Sequence, residues 1–182
     1  MKRILITLTL LCVAVFAYAQ KDIPAGQRFE SVEIEDNDYS YSVFKYKDAD
    51  GTLGYYLSLG NTAIEAEFSI RDLTSSIKHV DETCLCLGAN VEEAYAALDD
   101  LLELVGEDPG TVKEFESRKT NGVGLLDYGT IPCMVVKPFL GGKRLRFTFV
   151  TASGRSVDVD LTKGSIKSLR RGLKINQTFQ PD

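Results

Sequence analysis

Apolar residues recur along the chain with two different periods, and the switches between them lay out its elements. Over residues 90–105 (NVEEAYAALDDLLELV), Val91, Ala94, Tyr95, Leu98, Leu101, Leu102 and Val105 share one face at helical spacing. Glu92, Glu93, Ala96, Asp99, Asp100 and Glu103 take the other face. Asn90 stands where an N-cap is wanted, Glu93 completes a capping box three residues on, and Gly106 follows the last turn. The pattern predicts a central amphipathic helix whose apolar stripe must be covered.

On both sides of this helix the period shortens to two. Residues 28–35, 39–47, 53–59 and 63–70 read as strands, with turns at Asp48-Ala49-Asp50-Gly51 and Gly60-Asn61. Asp-x-Asp-Gly also opens a calcium loop, but the later ligands and the closing Glu are missing, so a hairpin is expected. Asp72 predicts a second helix with Leu73, Ile77, Val80, Cys84 and Leu87 in one stripe, although residues 83–87 also read as a short strand. After the central helix, 112–119 and 123–127 read as strands around Asn121-Gly122, with a helix over 110–119 as the alternative. Residues 131–137, 144–151 and 155–161 give three more strands, turned at Gly141-Gly142 and Ser153-Gly154. Thr162 or Ser165 opens a last helix, with Ile166, Leu169 and Leu173 on one face.

Residues 41–80 and 133–169 run in the same order of strands, turns and helix, and Ser76-Ile77-Lys78 is echoed by Ser165-Ile166-Lys167. The echo is either a worn duplication or a chance likeness between α+β segments. The expected fold class is α+β: a mostly antiparallel sheet packed on one long central helix plus one or two shorter helices, with two related strand-strand-strand-helix halves if the echo is real.

The beginning of the chain follows neither period. Lys2 and Arg3 precede an apolar run over residues 4–16, too short for a membrane span, and Ala17-Tyr18-Ala19 offers small residues where a signal peptidase reads. Residues 1–19 are therefore expected to be an export signal of the Gram-negative type, residues 20–175 a single domain, and residues 176–182 a tail. A retained anchor is the alternative. Cys12 follows bulky Leu11, which does not suit lipidation. The expected location is periplasmic or extracellular, with no membrane span after cleavage.

Charge divides the chain. Residues 20–117 carry 7 basic and 22 acidic side chains (−15), whereas residues 118–182 carry 12 basic and 4 acidic (+8). Lys143, Arg144, Arg146, Arg170 and Arg171 are the basic residues that would hold an anionic ligand, a glycan or lipopolysaccharide. The plainer expectation is that the basic part packs beside the acidic part. Nucleic acid is not expected as a partner of an exported protein. Five tyrosines between Tyr39 and Tyr56 would either form a binding face or fill a core with their hydroxyls at its rim. Trp is absent, which weakens a carbohydrate-platform reading.

Catalytic motifs are sparse. His79 is the only histidine, in a polar setting beside Lys78. There is no Gly-rich phosphate loop, Gly-x-Ser-x-Gly elbow or His-Glu-x-x-His pair. Cys84, Cys86, Cys133 and His79 would make a zinc set only without the usual second close pair, so no metal and no cofactor are expected. In an oxidising compartment Cys133 is expected to bond Cys84 or Cys86, because a Cys84–Cys86 ring is cramped. The function expected is that of an exported cell-envelope protein, a non-enzymatic binding or interaction module with an envelope protein as partner. The alternatives are an anionic-ligand binder using the basic C-terminal part, and a hydrolase or thiol enzyme whose site the sequence conceals.

Overall fold

The computed structural model describes residues 25–36, 39–59, 83–120, 125–150 and 156–179. Its strands are β1 (Arg28–Asp36), β2 (Tyr39–Lys47), β3 (Leu53–Ser58), β4 (Thr83–Gly88), β5 (Val112–Thr120), β6 (Leu125–Val136), β7 (Arg144–Val150) and β8 (Ser156–Thr162). They form one antiparallel sheet in strict chain order. Two helices belong to the described residues: α1 (Val91–Leu104), between β4 and β5, and α2 (Lys163–Phe179), after β8. The strand expected over 63–70, the helix opening at Asp72, the residues 1–19 and the turns at Gly60-Asn61, Asn121-Gly122 and Ser153-Gly154 lie outside the described residues.

The expectation of a sheet resting on one long central helix is corrected. The sheet curls into a half-barrel, and its concave face holds the core. Val43, Leu57, Leu85, Cys133, Val135, Leu145, Phe147, Val159 and Leu161 point into that concavity and are buried. The helix at 91–104 does bury Val91, Ala94, Leu98, Leu101 and Leu104 there, as its stripe required. It shares the concavity with α2, which is longer, 17 residues against 14, and which brings in Ile166, Leu169 and Leu173. Nor do two halves share a helix: the strands make one continuous meander. The physical reason is twist and alternation. Antiparallel neighbours twist in a constant sense, and a sheet apolar along one face curls until that face covers itself.

Local chemistry sets the boundaries. In the β2–β3 turn Gly51 takes φ +91°, and Thr52 N–H donates to Asp50 Oδ1 at 2.9 Å, so Asp48-Ala49-Asp50-Gly51 closes a hairpin. At the start of α1, Asn90 Oδ1 accepts from Glu93 N–H (2.9 Å) while Glu93 Oε2 accepts from Ala89 N–H (2.7 Å), a variant of the capping box in which the carboxylate reaches the residue before the N-cap. Thr162 caps α2, its Oγ1 accepting from Ser165 N–H at 3.0 Å. A β-bulge between Glu30 and Val32 changes which face the strand presents, so Val32 and Ile34 pack on the core while Arg28 lies 3.9 Å from the Phe44 ring centroid on the convex side.

The curl is held across its open seam. Tyr41 of β2 is buried and donates its hydroxyl to the Asp160 carbonyl of β8 at 2.6 Å. α2 leaves β8 and packs chiefly against β1, joining the two edges of the sheet. Its closest approach is at Gly172, where an added Cβ would lie 2.6 Å from Val32 Cγ1. Val is stiff about χ1 and cannot swing away freely. Gly172→Ala is therefore expected to lower stability, overpacking costing about 1–3 kcal/mol against a helix-propensity gain of about 1 kcal/mol. Gly164→Ala, whose Cβ would meet Thr162 Oγ1 at an ordinary 3.5 Å, should cost nothing. Urea midpoints of the two variants compare them directly.

Candidate functional site

Three pairs join β4 to β5: Thr83 with Lys119, Cys84 with Arg118, and Leu85 with Ser117. Beyond Leu85 the strands part. Residues 86–88 are laddered only to β3, and residues 112–116 only to β6. The cause is the path of α1. Gly88 takes φ +128° and leads into the helix within two residues, in a turn so tight that a Cβ there would lie 2.4 Å from Glu93 Cβ. The returning loop is pinned to β6 instead, through Gly110 N–H to Val135 O (2.8 Å) and Val135 N–H to Thr111 O (2.9 Å).

The result is a slot through the sheet of about 280 Å³. Leu85, Cys86 and Leu87 form one wall, Lys113, Glu114, Phe115 and Glu116 the other, and Ala97, Asp100 and Leu101 of α1 the floor. Both walls are strand edges whose backbone groups have no ladder across the gap. Its charged side chains are Asp100, Glu114 and Glu116 against Lys113. Burial first, and the Glu116 carboxylate second, push the Cys86 thiol up to about 11, so it is protonated at neutral pH.

Beside the slot, on the convex face, lies a second apolar cluster of Phe44, Tyr46, Tyr56 and Cys84. Arg118 penetrates it and is only 7% exposed. Its Nη1 donates to Asp48 Oδ2 (2.8 Å) and Oδ1 (3.1 Å) and to the Tyr56 hydroxyl (3.2 Å), and its Nη2 to the Leu125 carbonyl (3.4 Å). The guanidinium also sits 4.5 Å from the Tyr128 ring centroid. Burial works against the Arg118 charge, but the hydrogen bonds to Asp48 and Tyr56 more than offset it and its pKa is raised. Tyr56 is raised as well, burial outweighing the bond from Arg118. Of the tyrosines singled out in the sequence, Tyr41 and Tyr55 face the core and Tyr46 and Tyr56 this cluster.

The five basic residues singled out in the sequence are not gathered into one patch. Lys143 Nζ donates to the carbonyls of Gly106 (2.8 Å) and Glu107 (2.6 Å), just past the end of α1. Arg146 forks onto Asp160 (2.7 and 2.9 Å) on the convex face, with Arg144 at 3.9 Å from the same carboxylate. Arg170 pairs with Asp99, Nε lying 2.7 Å from Oδ1 but off line for a hydrogen bond while Nη2 donates to Oδ2 at 3.0 Å. Arg171 is exposed and makes no ion pair among the described residues. His79 lies outside those residues, and among them no group of three His, Cys, Asp or Glu is placed to hold a metal.

No disulfide joins Cys84, Cys86 or Cys133 among the described residues. Cys133 sits in the concave core, while Cys84 and Cys86 belong to the convex cluster, so the sheet itself separates them. Sequence reasoning fixed the cysteines' spacing but missed the slot. Its only sequence signal is the short apolar run of β4 leading straight into a capped helix.

Two outcomes follow from this geometry. Arg118→Met strands the Tyr56 hydroxyl and the Asp48 carboxylate, and is expected to cost about 3 kcal/mol by urea denaturation, the loss typical of a broken buried pair. The thiols predict a pH dependence. Folding raises Cys86 to about 11 and Cys133 to about 12, burial being the main cause in both. From about pH 8.5 upward the unfolded chain loses thiol protons that the folded chain keeps, so the thiols' contribution to stability falls with rising pH over that window and is constant below it. The fall between mildly and moderately alkaline pH should be shallower in Cys86→Ala/Cys133→Val. Compared with models of protein families, with curated proteins and with solved structures, the chain matches none.

Proposed function

We propose that this chain is a non-enzymatic binding module of an exported compartment, periplasmic or extracellular, and that it receives an extended peptide segment in the slot between β4 and β5. The observation that carries the reading is the break in the β4–β5 ladder, where two strand edges face each other over a helical floor. Backbone donors and acceptors left on a strand edge are satisfied by water or by an added strand. The excess of Asp100, Glu114 and Glu116 over Lys113 favours a segment carrying Lys or Arg. A protonated, half-buried Cys86 supports binding over thiol chemistry at this place. Export is supported by the signal-like residues 1–19. The basic residues weigh less as a polyanion site, since Lys143, Arg144, Arg146 and Arg170 are engaged within the chain.

The test is a titration of the isotope-labelled chain with two hexapeptides, one alternating Val and Lys, the other Val and Glu, followed by amide NMR. The Val-Lys peptide is expected to shift the amides of residues 86–88 and 112–116 and to slow their hydrogen exchange. Glu114→Lys/Glu116→Lys should weaken it by about tenfold or more, the scale of a lost charge-assisted contact. Unmoved amides in the slot with either peptide, or equal binding of both, would sink the reading.

A further inference from the structure

The loop between β6 and β7 spans residues 137–143, Lys-Pro-Phe-Leu-Gly-Gly-Lys. At its tip Phe139 is fully exposed and Leu140 is 79% exposed. Single exposed hydrophobic residues are ordinary, but two adjacent large ones at the apex of a hairpin form a concentrated apolar point. The tip is built rather than loose: Pro138 fixes one side, and Gly141 turns the other at φ +110°. Arg144 Nη2 lies 3.3 Å from where a Gly141 Cβ would stand, which puts the guanidinium beside the turn. Lys137 and Lys143 bracket the apolar pair. From Tyr128 through Val157 the chain has no Asp or Glu, and the positive charge next to the tip comes from Lys137, Lys143 and the start of β7 at Arg144. Gly106 and Glu107 of the neighbouring loop come to its base, where Lys143 bonds their carbonyls.

We infer that this tip is a membrane-contact point, inserting Phe139 and Leu140 into the interface of an anionic lipid bilayer while Lys137 reaches the phosphates. The chemistry fits a bilayer better than a folded partner. At the tip the apolar surface is made by two adjacent exposed side chains, whereas protein interfaces centre on a well-packed, water-excluded patch. A bilayer interface accepts an isolated aromatic and aliphatic wedge, and basic side chains at its base add attraction to anionic headgroups. No helix among the described residues is long and apolar enough to cross a membrane, so the contact is a surface one as far as helices are concerned. The slot and this tip are carried by different residues, and either can fail without the other.

The chain lacking residues 1–19 is to be floated with vesicles of phosphatidylcholine alone and with vesicles also containing phosphatidylglycerol. Binding is expected to the mixed vesicles and to fall by about tenfold or more in Phe139→Ser/Leu140→Ser, in keeping with the small apolar area each residue contributes. Lys137→Glu should weaken binding to mixed vesicles and leave the phosphatidylcholine result unchanged. Both apolar side chains are exposed, so an unchanged urea midpoint confirms that the double variant folds. Absent flotation of the parent chain, or equal flotation of the double variant, would overturn the inference. So would self-association of the parent chain abolished by the same pair of substitutions, which would give the tip to a second copy.

Discussion

Among the described residues, only three pairs hold β4 to β5, and they are the one ladder between the first four strands and the last four. So short a ladder is a weak seam unless something else crosses it. Arg118 does. Rooted in β5, it reaches past β4 to the hydroxyl of Tyr56 in β3 and the carboxylate of Asp48 in the turn beyond. Its burial is tolerable because each face of the guanidinium meets an aromatic ring or an acceptor. Gly54 belongs to the same device. A Cβ there would come within 2.6 Å of the Tyr56 hydroxyl, so the absent side chain is what lets the Tyr56 ring fold back beside its own strand. The slot can stay open below Leu85 because this clamp closes the sheet above it.

The charge division of the sequence takes on a physical meaning in these contacts. Arg118 from the basic part pairs with Asp48 from the acidic part, Arg170 with Asp99, and Lys143 with carbonyls just beyond α1. Opposite ends of the chain are thereby drawn onto each other, while Arg146 and Asp160 settle their charges within the basic part. The exposed pairs contribute little each. Their arrangement favours one mutual placement of the two half-sheets over others that would bring like charges together.

Much of the fold was legible because it is local. β2 and its turn, β7, β8 and both helix caps follow from alternation and from Asp, Gly, Asn and Thr at the positions that need them. β4 was ambiguous because Cys84 and Leu87 also extend a helical stripe, and six residues do not separate a period of two from one of 3.6. β6 was read as two strands, 123–127 and 131–137, with Gly129 in the gap between them and Pro132 inside the second. The structure tolerates Pro132 because the ladder with β7 begins only at Cys133, leaving the proline at an edge position. Curl, seam and slot were not legible, since they depend on where ladders stop and on which strand α1 returns to. The cysteines show the same limit: spacing cannot reveal that Cys84 and Cys133 point to opposite faces of one sheet. The basic candidates were visible as residues, but not their internal partners.

The packing of α2 on β1 also orders events in time. The last of the described elements is the one that covers Val32 and packs on β1, the first strand in the sheet. Until residues 163–179 have left the ribosome, the concavity lacks Ile166, Leu169 and Leu173, and its first strand has no cover. Contacts between chain ends form late, because the whole intervening chain must be ordered to bring them together. A growing chain of this design therefore stays short of its final core until α2 is made, with the apolar concave face of its sheet only partly covered.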